Sequence, residues 1–120
     1  MKTTALYYNQ DFLNHIVPNG HPENNDRIKY ILKKIKNKNF EKLQFMNAPK
    51  ANNDILELGH SKNYLNWLDK IIPETGIIKI DQDTFMSPNT IKAAKRGVGS
   101  IITAINSVLE KKFKNAFCLT

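Results

Sequence analysis

Apolar and polar residues alternate in blocks along this chain, and the blocks predict alternating strands and helices. Residues 3–8, TTALYY, line up β-branched and aromatic side chains, as a first strand does. The following NQDFLNHIVPNGHPE has no period and is dense in Asn, Pro, Gly and His, which predicts a long ordered loop. Loops of that length in compact domains usually carry function. Pro22 offers a helix start, since a first turn does not use the N–H that proline lacks. Ile28, Ile31, Leu32 and Ile35 then follow at i, i+3, i+4, i+7, the stripe of an amphipathic helix that fades into Lys36-Asn37-Lys38-Asn39.

Leu43 to Met46 reads as a short strand. Asn53 or Asp54 is expected to cap a short helix carrying Ile55, Leu56 and Leu58 and ended by Gly59. Ser61 caps the next, with Tyr64, Leu65, Leu68 and Ile72 on one face and Pro73 beyond it. Glu74 to Met86 reads as a second loop. Ser87-Pro88 is an N-cap and N1 signal for a helix that carries Ile91, Ala94, Val98, Ile101, Ile102, Ile105, Val108 and Leu109 and lasts to about Lys112. Gly97 and Gly99 inside it cost about 1 kcal/mol each against Ala, and such glycines mark close packing. Ala116-Phe117-Cys118-Leu119 has the look of a buried parallel strand. The alternation argues an α/β sheet protein, residues 1–120 forming one domain.

Charge changes this picture little. The formal net charge is +7, from 18 Lys and Arg against 11 Asp and Glu. Lys, Asn and Ile together supply 45 of 120 residues, and all three have AT-rich codons, so coding bias accounts for much of the excess. Arg, the better base reader, occurs twice. Seven Lys and one acid, Glu41, lie between Lys29 and Lys50, several on a helix face away from its apolar stripe. A solvated face is the expected reading, and nucleic acid is not the expected partner. A non-catalytic basic module that binds nucleic acid or a partner protein is the alternative function. The opening MKTTALYYNQDF is no secretory signal, no apolar run suffices to span a bilayer, and the single cysteine, Cys118, points to a reducing compartment. The expected location is the cytoplasm, with no membrane partner.

Candidate chemistry is sparse. His15, His21 and Cys118 are soft ligands without CxxC, HxxxH or DxH spacing, so no metal site is expected from this chain alone. No glycine-rich phosphate loop and no GxSxG motif occur, and Cys118 reads as an inert core thiol. Arg27 stands out, because an Arg kept among 16 Lys suggests a need for a planar, permanently charged fork. Its plainer reading is a surface pair with Glu23 or Asp26. Asp81 and Asp83 share one side if their segment is extended; otherwise they are solvated loop charges preceding a helix dipole.

Taken together, these residues resemble the histone deacetylase and acetylpolyamine amidohydrolase family. The run LNHIVPNGHPENNDRIKYIL carries His21-Pro22-Glu23 and Arg27 at that family's spacing. His60-Ser61-x-x-Tyr64, Asp81-x-Asp83-Thr84 with Ser87-Pro88, Ala93-Ala94 with Gly99, and Asn115-Ala116-Phe117 follow in the family's order. Asn24, Asn25 and the charged Lys95-Arg96 depart from it.

The resemblance implies the N-terminal part of an arginase- or deacetylase-like three-layer α/β/α fold with a mainly parallel sheet. It implies a zinc-dependent hydrolase of acetylated amines, such as acetyl-lysine or an acetylpolyamine. In the family the strand matching 116–119 leads to a His pair, with the zinc ligands further on, so the sequence reads as an N-terminal fragment. On that reading the chain holds no catalytic residue and binds no zinc itself, zinc belonging to the complete parent protein. Its implied contributions are Arg27 lining an acetate channel and a substrate rim of His15, Gly20, His21, Pro22, Glu23, Asp81 and Asp83. The isolated chain is expected to be inactive and to self-associate or need a complementing C-terminal segment.

Overall fold

A computed structural model describes residues 2–120. In chain order its elements are β1 (Lys2–Tyr8), α1 (Asn25–Ile35), β2 (Leu43–Asn47), α2 (Asn53–Leu56), α3 (Lys62–Lys70), β3 (Ile78–Lys79), β4 (Phe85–Met86), α4 (Thr90–Leu109) and β5 (Phe113–Cys118). Short 3-10 turns at Gln10–Asn14 and Lys38–Phe40 complete them. The main sheet has the order β2-β1-β5, with both neighbours parallel to β1. Leu6 faces Phe45 on one side and Phe117 on the other, which fixes the register.

Side chains alternate across β1 and build a core on each face, with α4 contributing to both through Ala93 and Ala104. Leu6 joins Phe12, Ile28, Ala48 and Leu119 in one core, backed by Ile31, Leu32 and Ile35 of α1. Ala5 and Tyr7 join Ala104 of α4 and Phe113 in the other. Helix, sheet and helix form three layers, the α/β/α arrangement with a parallel sheet expected of a deacetylase-like domain. Both faces of β1 are covered, so it reads as a near-continuous apolar run rather than an alternating one.

Several element ends differ from expectation for local reasons. Helix α1 begins at Asn25 rather than at Pro22, because the Asn24 side chain accepts from the Asp26 N–H and caps it. Asn52, not Asn53 or Asp54, caps α2 by accepting from the Ile55 N–H, and Leu58 is exposed. Ser61 caps α3 as expected, but Tyr64 and Ile72 are exposed. The segment read as a second loop folds into the β3–β4 hairpin, Ile78 pairing with Met86.

Helix α4 buries its small residues most deeply, while the large residues of the expected stripe are half-buried or exposed. Ala93, Gly99, Ser100, Ala104 and Ser107 face the protein. Ile101, Ile105 and Leu109 are 52, 53 and 74% exposed. Small side chains win because the helix lies close to the segment after β2. A Cβ on Gly99 would collide with the Pro49 carbonyl oxygen and stand 2.9 Å from the Ala51 nitrogen. Gly97 meets nothing within 4 Å, so it is not the close-packing residue it was expected to be. The helix stops at Leu109, ahead of Lys112, where Lys111 takes a left-handed φ of 58°.

Candidate functional site

The carboxyl ends of parallel strands are where α/β folds hold ligands. Tyr8, the end of β1, is followed by the Gln10–Asn14 turn, and Cys118, the end of β5, by Leu119 and Thr120. Between them lies a cavity of about 230 Å³ bordered by Phe12, His15, Glu23, Arg27, Thr90, Gly97 and Thr120. Three of the residues singled out from the sequence thus meet in one place: His15, Glu23 and Arg27.

Arg27 is exposed, and its Nη2 donates to the Thr120 carbonyl at 2.7 Å. That contact replaces the expected surface pair, as Asp26 pairs instead with Lys29 at 3.4 Å. The guanidinium therefore bridges α1 and the end of β5 in the cavity lining.

His15 is half-buried, its Nδ1 2.8 Å from Thr90 Oγ1. Burial pulls its pKa below the ordinary imidazole value; the Glu23 charge opposes this weakly, and His21 adds to it. Thr90 Oγ1 also accepts from the Ser87 N–H at 2.8 Å. The buried Ser87 hydroxyl accepts from the Ile16 N–H at 3.0 Å. Ser87 is therefore a tie to the His15 loop rather than a side-chain cap for α4, whose regular turns start at Thr90.

The remaining rim residues form a second group. Pro18 accepts from the His21 N–H at 3.1 Å, closing a turn whose third residue, Gly20, has φ 85°. Glycine suits that left-handed position. The His21 ring accepts from the Glu23 N–H through Nδ1, which leaves Nε2 to carry the proton. Nε2 faces the carbonyl and the Oδ1 of Asp83, each at 3.1 Å, and the ring stands edge-on to Phe85. Pro22 is exposed beside this latch. Asp81 and Asp83 do not line up along an extended segment. The Asp83 N–H bonds back to Asp81 Oδ1 at 3.0 Å, a bend that holds the Asp81 carboxyl below its usual range.

One polar cluster went unread in the sequence. Asp11 Oδ2 accepts from Arg96 Nε at 2.7 Å, with Lys92 3.5 Å from Oδ1. Arg96 Nη1 donates to the Ala48 carbonyl at 2.9 Å. Arg96 thereby joins the loop after β1, the end of β2 and α4. The Arg96 hydrogen bond holds the Asp11 carboxyl below the usual carboxylate range. Its sequence signal was the scarcity of Arg, which applies to Arg96 as much as to Arg27.

Comparison with known proteins fits this architecture. The histone deacetylase domain model matches residues 21–120. The chain belongs to the histone deacetylase family. It is 28% identical to a "Probable deacetylase" of Archaeoglobus fulgidus over 97% of its length, covering 33% of that protein. It is 28% identical to "Type-2 histone deacetylase 2" of Dictyostelium discoideum, covering 98% of this chain and 8% of that one. The crystal structure of the HDA15 HD domain superposes with a TM-score of 0.85 at 20% identity, covering 99% of this chain and 35% of that one. The chain thus spans about a third of the archaeal relative and of the solved domain.

Proposed function

We propose that these residues are the N-terminal part of a zinc-dependent deacetylase domain that hydrolyses acetylated amines, such as acetyl-lysine or an acetylpolyamine. Their share of the site is the rim and an arginine-lined channel. The observation that carries this reading is the cavity at the carboxyl ends of β1 and β5, which joins His15, Glu23 and Arg27 in a chain of this family. A guanidinium in its lining suits a leaving acetate, since a planar fork pairs with a carboxylate through two parallel hydrogen bonds. The rim latch of His21 and Asp83 leaves the Asp83 side chain 87% exposed, free to accept a hydrogen bond from substrate.

Zinc is the family's cofactor, and the residues of this chain do not fit it. Among the described residues no three His, Cys, Asp or Glu side chains stand together. On this reading the ligands are ones the family carries after the strand that matches β5. The exposed Ile101, Ile105 and Leu109, beside Ala116 and Cys118 of the edge strand, form the surface that a complementing C-terminal segment or a second copy covers. No helix of the described residues is long and apolar enough to cross a membrane. The free Cys118 supports a reducing compartment, for which the cytoplasm is our reading.

A chimera tests the proposal: these 120 residues replace the matched third of the archaeal relative. Chelator-sensitive turnover of an acetyl-lysine reporter is the expected result. A folded chimera with intact zinc binding and no turnover would contradict it.

A further inference from the structure

The parallel register brings together two lysine clusters that lie far apart in sequence. Because β1, β2 and β5 all run the same way, the segments that enter β2 and β5 end on one edge of the sheet. The first, residues 33–42, brings Lys33, Lys34, Lys36, Lys38 and Lys42, and the second, residues 110–114, brings Lys111, Lys112 and Lys114. All eight are exposed. The acids within the two segments are Glu41 and Glu110, and Glu110 is held by Lys112 at 2.6 Å. Eight lysines against two glutamates give these 15 residues a net charge of +6, leaving +1 for the other 105. A codon bias spreads lysine along a chain; it does not gather nearly all the excess charge at one edge of a fold. The strands entering there are neighbours of β1 on either side, about 10 Å apart.

Beside this edge an aromatic ring is left bare. Tyr30 on α1 is 62% exposed, and Lys34 Nζ stands 5.4 Å from its ring centre. A flat ring among flexible ammonium groups suits a polyphosphate whose bases are free to stack. Arginine forks for reading base edges are missing from the edge.

We propose that this edge binds single-stranded nucleic acid without sequence preference. The seven residues of β1 separate it by about 20 Å from the cavity, so binding leaves Arg27 and His15 accessible. The inference stands apart from the deacetylase reading.

The test is fluorescence anisotropy of a labelled oligothymidine with the purified chain, from about 50 to about 200 mM salt. Binding is expected to weaken steeply with salt and to be indifferent to base composition. Lys36→Glu, Lys38→Glu and Lys114→Glu together should weaken it about tenfold or more. The same charge change at Lys50, Lys62 and Lys70, away from this edge, should weaken it about threefold at most. Tyr30→Ala should cost about fivefold, and circular dichroism checks that every variant is folded. Equal losses in both triple variants would reduce the effect to bulk charge and overturn the proposal. Wild-type chain that ignores the oligonucleotide at low salt, or prefers phosphatidylserine vesicles to it, would overturn it too.

Discussion

Asp11 and Arg96 lie 85 positions apart in sequence and meet at 2.7 Å, each next in sequence to a residue that borders the cavity. Their side chains are only 14 and 19% exposed, so neither charge is well served by water. Arg96→Ala leaves Asp11 with Lys92 alone and strips the Ala48 carbonyl of its donor. A loss of about 1–3 kcal/mol is expected from thermal or urea unfolding. Arg96→Lys should recover part of it, since an ammonium keeps the charge but cannot serve both partners with one planar group.

Acid should weaken the fold in two steps. Burial lowers the His15 pKa, so the unfolded chain binds the proton more readily than the folded one. That contribution is complete above the ordinary imidazole value, about 6.5, and is lost as pH falls through the lower folded value. Asp11 has the same sign further down, its stabilisation being lost as pH falls through the depressed carboxyl value. Urea midpoints at about pH 7.5 and pH 5.5 measure the first step, which His15→Gln should flatten. An unchanged pH dependence in that variant would show that another group titrates.

The two glycines of α4 should behave oppositely. Gly99→Ala drives a methyl into the Pro49 carbonyl, backbone that cannot swing aside, and should cost about 1–3 kcal/mol or more. Gly97→Ala meets open space and lies in a helix interior. It should stabilise by about 0.4–1 kcal/mol. Melting curves of the pair decide it, and similar losses in both would refute the packing asymmetry.

Arg27 separates structure from function. Exposed and bonded to one carbonyl, it should cost about 0–1 kcal/mol when changed to Ala. In the chimera with the archaeal relative the same change should lower turnover while zinc binding survives, and Arg27→Lys should rescue only partly. Wild-type turnover in Arg27→Ala would remove the channel role.

The apolar side of α4 makes a prediction about solution state. With Ile101, Ile105 and Leu109 exposed on one face, the isolated chain should associate at high concentration, and Ile105→Asp should shift it toward monomer. Sedimentation of both proteins reads this directly. A wild-type monomer throughout would count against a covering partner.

Much of the fold could be read from local pattern. The stripe of Ile28, Ile31, Leu32 and Ile35, the run of residues 3–8 and the cap at Ser61 each carry their own signal, and each formed where the pattern put it. Helix α4 misled because apolar size argued for its large residues, whereas the Gly99–Pro49 approach buries the small ones; Gly99 signalled close packing, but its partner lies far off in sequence. The site was half legible. His15, Glu23 and Arg27 lie on the loop and helix that composition singled out, whereas Asp11–Arg96 is a long-range pair that no spacing rule reports. The lysine edge exists only once parallel pairing aligns the starts of β2 and β5.

The central claim is that these residues shape a deacetylase site without holding its metal. The most direct test is an acetyl-lysine reporter assay on the purified chain with added zinc, run with and without a chelator. The account predicts no turnover in either condition. Turnover with zinc that a chelator abolishes would contradict it.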